Sequence, residues 1–71
     1  MKYAIIENIN GAYFVRAEGM TELASAKVSY HDRCKILWNA PDVLDAHVAV
    51  MDENLNIVEG LREHITHAPQ E

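Results

Sequence analysis

The sequence predicts an α+β fold, a two-layer sandwich in which a four-stranded antiparallel sheet carries one helix on one face, in the order ββαββ. Three observations lead to this prediction: an Asn-Gly pair between two strand-like segments, an apolar stripe with helical period in the middle of the chain, and two alternating segments near the end. The 71 residues are enough for one domain. We expect that domain to span residues 1–67, followed by a frayed tail at 68–71.

The first predicted element is a β-hairpin. Its two segments, KYAIIEN and AYFVRAE, are rich in aromatic and β-branched residues, and Asn10-Gly11 stands between them. This pair favours a type I′ turn, because both central positions of that turn need a positive φ. The first segment is apolar on both faces, which predicts a strand inside the sheet or one covered on its second face.

The second predicted element is a helix from Thr21 to Trp38. Thr21 follows a glycine break and can act as the N-cap, Glu22 suits the first turn, and Lys35 suits the last turn. Asn39, two residues before a proline, supplies the stop.

The stretch SYHDRCKILWN lies in this helix and contains the single cysteine. At 100° per residue, one apolar stripe is predicted to face the core; its members are Leu23, Ala26, Tyr30, Cys34 and Leu37. Cys34 therefore lies where a thiol behaves as a small hydrophobic group with a raised pKa, and His31 lies at the edge of the stripe. This placement favours a structural role for both residues over a metal half-site or a nucleophile with its base.

The third predicted element is a second hairpin, made of DAHVAVMD and LNIVEGLREHI around the turn-rich DENLN. A two-residue loop at Glu53 and Asn54 would pair Val50 with Ile57 and would place Gly60 opposite His47, where it could mark a bulge or a close approach. The reverse face would then be mixed in character; its predicted members are His47, Ala49, Met51, Val58, Arg62 and His64.

Charge and length exclude several classes of function. The net charge is −5, and residues 42–71 carry seven acids against one base, whereas residues 1–41 carry five bases against four acids. Nucleic-acid binding needs clustered Lys and Arg, so no nucleic-acid partner is predicted. We also predict no membrane partner, because no apolar run is long enough for a membrane span or for the core of a signal peptide. The predicted location is cytoplasmic, and the single cysteine adds weak support to it.

The apolar surplus predicts a homodimer. One helix can cover one face of the sheet only, and a domain with a single cysteine cannot form an internal disulfide, so a second subunit is the natural additional source of stability. The residues predicted for such an interface are Val28, Ile36, Trp38, Met51 and Val58. The leading hypothesis is therefore a non-enzymatic, homodimeric protein-binding or regulatory module without a cofactor, since no catalytic constellation or Gly-rich phosphate loop is present.

Histidine-based sites are the alternatives. The first is a zinc-stabilised domain whose candidate ligands are His31, Cys34, His64 and His67. The second is a ligand-binding or enzymatic subunit with a site between protomers, for which the candidates are His47, Glu59, Arg62 and His64. In a third, His47 and His64 share a face near Asp45, Glu63 or Arg62 and give an interface that responds to pH.

The first half of the chain, MKYAIIENINGAYFV followed by the helix, resembles the start of small HicB-type antitoxins, which have partial dsRNA-binding folds. The resemblance covers about half of the chain and implies only a hairpin that leads into a helix. Those antitoxins continue differently after the helix and usually carry a DNA-binding segment that these residues lack. Their function is therefore not transferred to this chain.

Overall fold

The structure, a computed structural model, describes residues 1–67 and confirms the predicted α+β sandwich. The predicted frayed tail, residues 68–71, lies outside the described residues. The elements, in chain order, are β1 (Tyr3–Ile9), β2 (Ala12–Met20), α1 (Leu23–Trp38), β3 (Asp45–Asp52) and β4 (Ile57–Thr66).

The four strands form one antiparallel sheet in the order β2-β1-β3-β4. The helix connects the edge strand β2 to β3, and β3 pairs with β1, so both hairpins share one continuous sheet. β1 is therefore an interior strand, which confirms the inference from its apolar character on both faces.

The first turn has the predicted chemistry and an additional contact. Asn10 and Gly11 have φ values of 51° and 92°, the positive values that the Asn-Gly pair predicts. The Asn10 side chain also reaches the segment before β3: its Oδ1 accepts hydrogen bonds from the backbone N–H of Leu44 at 3.0 Å and of Asp45 at 3.1 Å. The turn of the first hairpin thus holds the start of the second hairpin in place.

The helix begins later than predicted. Thr21 is not its N-cap; that position belongs to Glu22, whose backbone is still extended (φ −113°, ψ 128°) and whose side chain forms no capping hydrogen bond. The reason is that β2 continues to Met20, so the chain enters the helix only at Leu23. The end is as predicted, with Lys35 in the last turn and Asn39 as the C-cap. Among the described residues, no helix is both long and apolar enough to cross a membrane.

The predicted apolar stripe of the helix faces the sheet. Four of its five members, Ala26, Tyr30, Cys34 and Leu37, are buried, while Leu23 packs half-buried against them. The sheet contributes alternate residues to the same core; these are Ile5, Ala46, Val48, Val50, Leu61 and Ile65. Val28 and Ile36, predicted to lie outside the stripe, are exposed.

The predicted register of the second hairpin is wrong. Val50 does not face Ile57; Met51 pairs with Ile57, and His47 pairs with His64. Two features cause the shift. The connection is a four-residue loop, residues 53–56, rather than a two-residue turn, and β4 then bulges around Gly60, which has a φ of 80°.

Candidate functional site

The sheet face that points away from the helix is apolar and uncovered, and we call it the open face. Its residues follow from the register of the four strands and are Ala4, Ile6, Asn8, Tyr13, Val15, His47, Ala49, Met51, Ile57, Arg62 and His64. The helix contacts every strand from the other side, and no other element of residues 1–67 packs over this face. The open face therefore combines the surface that sequence reasoning assigned to an interface with two of the four histidines.

A shallow hollow occupies the middle of the open face. Its volume is about 230 Å³, and its lining is largely apolar, with Ile6, Ala49, Met51 and Ile57 around it. Sites for drug-sized small molecules usually have ~300–1,000 Å³, so this hollow is small for such a ligand within one copy of the chain.

Two histidines and an aspartate meet at one end of the open face. The His47 and His64 rings are stacked, with centroids 4.1 Å apart and planes 6° from parallel. Asp45 approaches both rings: its Oδ1 lies 2.5 Å from His64 Nε2, and its Oδ2 lies 3.9 Å from His47 Nε2. The hydrogen bond with His64, helped by the charges of both histidines, holds the pKa of the Asp45 carboxyl below its usual value.

The strand geometry explains this convergence. Asp45 and His47 are two positions apart on β3 and so point to the same face, and His64 stands directly opposite His47 on β4. The sequence placed both histidines on one face near Asp45, but it placed Gly60 rather than His64 opposite His47. The bulge in β4 shifts the pairing so that His64, and not Gly60, lies opposite His47.

The four residues of the predicted zinc set do not meet. His64 is on the open face, whereas Cys34 is buried on the helix side of the sheet and His31 is exposed on the helix surface. His67 packs at the end of the helix, with Nε2 3.0 Å from the Leu37 carbonyl oxygen and its ring against Trp38. That zinc set is therefore a wrong prediction, and its physical reason is that the sheet separates His64 from Cys34.

Cys34 is a core residue, as the stripe predicts. Burial raises the pKa of its thiol, and a hydrogen bond with Tyr30 offsets only part of that effect, while the carboxylates of Glu63 and Glu7 add to the rise. A buried thiol with a raised pKa is a poor nucleophile, because the thiolate is the reactive form.

We therefore expect Cys34 to react with Ellman's reagent at pH 8 more than ~10-fold more slowly in the native protein than in denaturant. A Cys34→Ser/Ser25→Cys variant is the matched control, because Ser25 is exposed on the outer side of the helix. Its thiol should react at the same rate in both conditions, and equal rates for native and denatured Cys34 would contradict the core assignment.

The four residues predicted for a site between protomers are only partly brought together. His47, Arg62 and His64 lie on the open face, and His47 and Arg62 line the hollow. Glu59 lies in the β4 bulge and does not line the hollow. The remaining three provide imidazole and guanidinium groups beside an apolar surface. Glu7 also lines the hollow, but its carboxylate is bound by Arg16 and Arg33 on the helix side.

The five predicted interface residues fall on different surfaces. Val28 and Ile36 are on the helix exterior, Met51 is on the open face, and Trp38 is half-exposed at the helix end. Val58 packs against the core on the helix side, because the β4 bulge reverses its orientation, so its predicted place on the reverse face of the sheet is wrong. Ile57 takes the open-face position beside Met51 instead.

Sequence reasoning missed a buried ion cluster on the helix side of the sheet. The Glu7 carboxylate, with no exposed surface, accepts hydrogen bonds from Arg16 Nε at 2.9 Å and from Arg33 at 2.5 Å (Nε) and 3.0 Å (Nη2). Burial acts to raise the Glu7 pKa, but the two guanidinium groups outweigh it and lower the pKa from its usual 4.5. The cluster joins β1, β2 and the helix.

A bulge in β2 lies next to this cluster. Ile6 pairs with Val15 and Ile5 pairs with Ala17, so Arg16 is an extra residue between two consecutive pairs. Alternation from Phe14, which pairs with Glu7, already places Arg16 on the helix side, and the bulge brings Ala17 to the same side, opposite Ile5. The only sequence signal was a polar residue in each of two apolar strands, which does not distinguish a solvent-facing charge from a paired one.

In comparisons with protein-family models, curated proteins and solved structures, no match to this chain was found.

Proposed function

We propose that this protein is a non-enzymatic interaction module that forms a homodimer through its open face. The observation that carries the proposal is the unpartnered apolar surface across all four strands, in which Val15 is 60% exposed and Ile57 is 45% exposed. A face of this kind is rarely left in water by a small protein, because its burial is the main available source of further stability.

The size of the open face suits a second copy of the chain. Four strands ~4.8 Å apart and about eight residues long at ~3.3 Å per residue give a flat area of ~500 Å². The accessible surface of the side chains exceeds this flat area, and small specific interfaces bury ~600–800 Å² on each partner. Two open faces packed together would thus reach the size of an ordinary small interface.

The residue types also favour an interface. The centre of the open face carries no carboxylate, and Tyr13, which is 79% exposed, Met51 and Arg62 belong to the types that are enriched in protein interfaces. Asn8, His47 and His64 form one polar row at the end of the open face, and Arg62 lies beside the apolar residues of the hollow. A mainly apolar surface with a few polar groups is typical of surfaces that associate.

The helix exterior is a weaker candidate for the same role. Val28 and Ile36 are 62% and 52% exposed, but they are two helical turns apart. The charged Asp32 lies between them on the same side of the helix. Two isolated apolar side chains bury too little area for a stable dimer. This surface remains available to a different protein partner, and we place the module in the cytoplasm on its sequence characteristics alone.

Sedimentation equilibrium on the wild type and on Ala49→Glu tests the proposal. Ala49 lies at the centre of the open face, directly opposite Arg62, so a glutamate there would put a bulky charged side chain between two packed faces. The cost of removing its ion pair with Arg62 from water would exceed the attraction within the pair. We expect the wild type to have twice the 8.0 kDa chain mass at ~10 µM and Ala49→Glu to be monomeric with an unchanged circular dichroism spectrum.

The matched control is Ser25→Glu, which adds the same charge on the exposed side of the helix and should leave the dimer intact. A monomeric wild type at that concentration would end the proposal. A dimer that survives Ala49→Glu but dissociates in Val28→Glu/Ile36→Glu would move the interface to the helix exterior.

A further inference from the structure

We propose that Asp45, His47 and His64 bind one divalent transition-metal ion of the zinc class at the end of the open face. One ligand atom from each residue can be chosen so that all three lie within 4.8 Å of one another. Nitrogen and carboxylate oxygen atoms bind zinc at ~2.0–2.2 Å, so two ligands on one ion stand about 3–4 Å apart. The ligand atoms are thus close to the required spacing before any side chain moves.

The backbone already fixes the three positions. Asp45 and His47 are alternate residues on one strand, and His47 and His64 are a direct cross-strand pair, so all three Cβ atoms point to the same side of the sheet. Only side-chain torsions are left to adjust when an ion enters. Sites on strands of this kind hold their geometry better than sites on loops.

The ligand types select the class of ion. Two imidazole nitrogens favour zinc, copper, nickel or cobalt, whereas magnesium and calcium prefer sets made of oxygen atoms. Three protein ligands also leave at least one coordination position open for water or for a group from another molecule. The side chains of Asp45, His47 and His64 are 41–56% exposed, so an ion from solution can reach them.

An ordinary salt bridge explains only part of the cluster. The contact of Asp45 with His64 accounts for the positions of these two side chains. It does not account for His47, whose ring is stacked on that of His64 at 4.1 Å and faces the other oxygen of the Asp45 carboxylate. Each oxygen of Asp45 therefore has its own histidine. A single ion among the three groups satisfies this whole arrangement.

The position in the hairpin shows what the ion would contribute. Asp45 is the first residue of β3, and His64 is two residues before the end of β4, so the cluster lies at the open end of the second hairpin, opposite its loop at residues 53–56. An ion there would tie together the ends that separate most easily. Small domains commonly use a metal in this way, and the inference does not depend on dimer formation.

The test uses the metal-free full-length protein titrated with Zn²⁺ by calorimetry and with Co²⁺ by visible absorption. We expect one ion per chain, Co²⁺ absorption bands between about 500 and 650 nm, and a Tm raised by at least ~5 °C at saturating Zn²⁺. His64→Ala, His47→Ala and Asp45→Ala should each lower the affinity by more than ~10-fold, since even the loss of a residue that only supports a ligand costs ~10–100-fold.

The matched control is His31→Ala, which removes an exposed histidine from the helix and should leave Zn²⁺ affinity and the Co²⁺ spectrum unchanged. All four variants change exposed or half-exposed side chains, and circular dichroism checks that each remains folded. Equal loss of affinity in His31→Ala, or a wild type that binds no Zn²⁺ at 100 µM, would overturn the proposal. Because the readouts are stoichiometry and spectrum, the result is separate from that of the sedimentation experiment.

Discussion

Glu7→Gln is expected to lower the free energy of unfolding by about 2–4 kcal/mol, a large part of the stability of so small a domain. The substitution keeps the shape of the side chain but removes the buried negative charge with which Arg16 and Arg33 both form salt bridges. The side chains of Arg16 and Arg33 are 35% and 24% exposed, so water can partly solvate them and the loss stays below that of a fully buried unpaired charge.

Urea denaturation followed by circular dichroism measures this effect. The unfolding midpoint should fall by at least ~2 M relative to the wild type, because the slope for a domain of this size is about 1 kcal/mol per M. Glu59→Gln, which removes one charge from an exposed position in the β4 bulge, is the control and should leave the midpoint nearly unchanged. A Glu7→Gln variant as stable as the wild type would show that the cluster contributes little.

The same cluster gives the stability a pH dependence of known sign. The pKa of Glu7 is lower in the folded state than its usual 4.5, so the folded protein releases this proton more readily than the unfolded chain. The stabilisation is therefore fully present above about pH 4.5 and is lost as the pH falls through the folded pKa. Between pH 5 and pH 3 the wild type should lose more stability than Glu7→Gln, and parallel pH profiles for the two proteins would contradict this assignment.

Asn10→Ala is expected to lower the free energy of unfolding by about 2–3 kcal/mol. The substitution removes the acceptor for the backbone N–H groups of Leu44 and Asp45, and it places alanine at a φ of 51°, where a Cβ atom is unfavourable. Both effects act on the junction between the two hairpins. Thermal unfolding should show a Tm lower by roughly 10 °C or more.

Asn10→Gly separates the two causes. Glycine tolerates the positive φ but also lacks the side-chain oxygen, so it should recover about 1 kcal/mol relative to alanine and no more. If Asn10→Gly is as stable as the wild type, the contacts with Leu44 and Asp45 contribute nothing. Asn56→Ala, in the other hairpin loop, is a control for loss of an exposed asparagine with no described side-chain hydrogen bond.

The candidate site shows where sequence reasoning reaches its limit. Alternation along β3 correctly placed His47, Ala49 and Met51 on one face, since period-two geometry is a local property of a strand. The partner of His47 could not be predicted in the same way. It depends on the length of the loop and on a bulge in β4, and the glycine at position 60 indicates where such a bulge can form but not how many residues it contains.

The buried ion cluster could not be predicted for a related reason. Glu7 lies in an apolar strand, where a carboxylate is usually expected at the surface. Its burial depends on Arg16 from the neighbouring strand β2 and on Arg33 from the helix. Each of these three residues is unremarkable in its own segment, and only the packing of three elements brings their charges together.

Local sequence patterns were enough to predict the order of the elements, the Asn10-Gly11 turn, the helix face that packs on the sheet and the burial of Cys34, because these follow from turn chemistry and from side-chain periods of two and 3.6 residues. Tertiary structure alone decided the strand order, the burial of Glu7 and the meeting of Asp45 with the His47–His64 pair. These features depend on bulges and on contacts between residues that are distant in the chain. The energies of such contacts depend on which side chains the fold brings together, and a local sequence pattern does not contain that information.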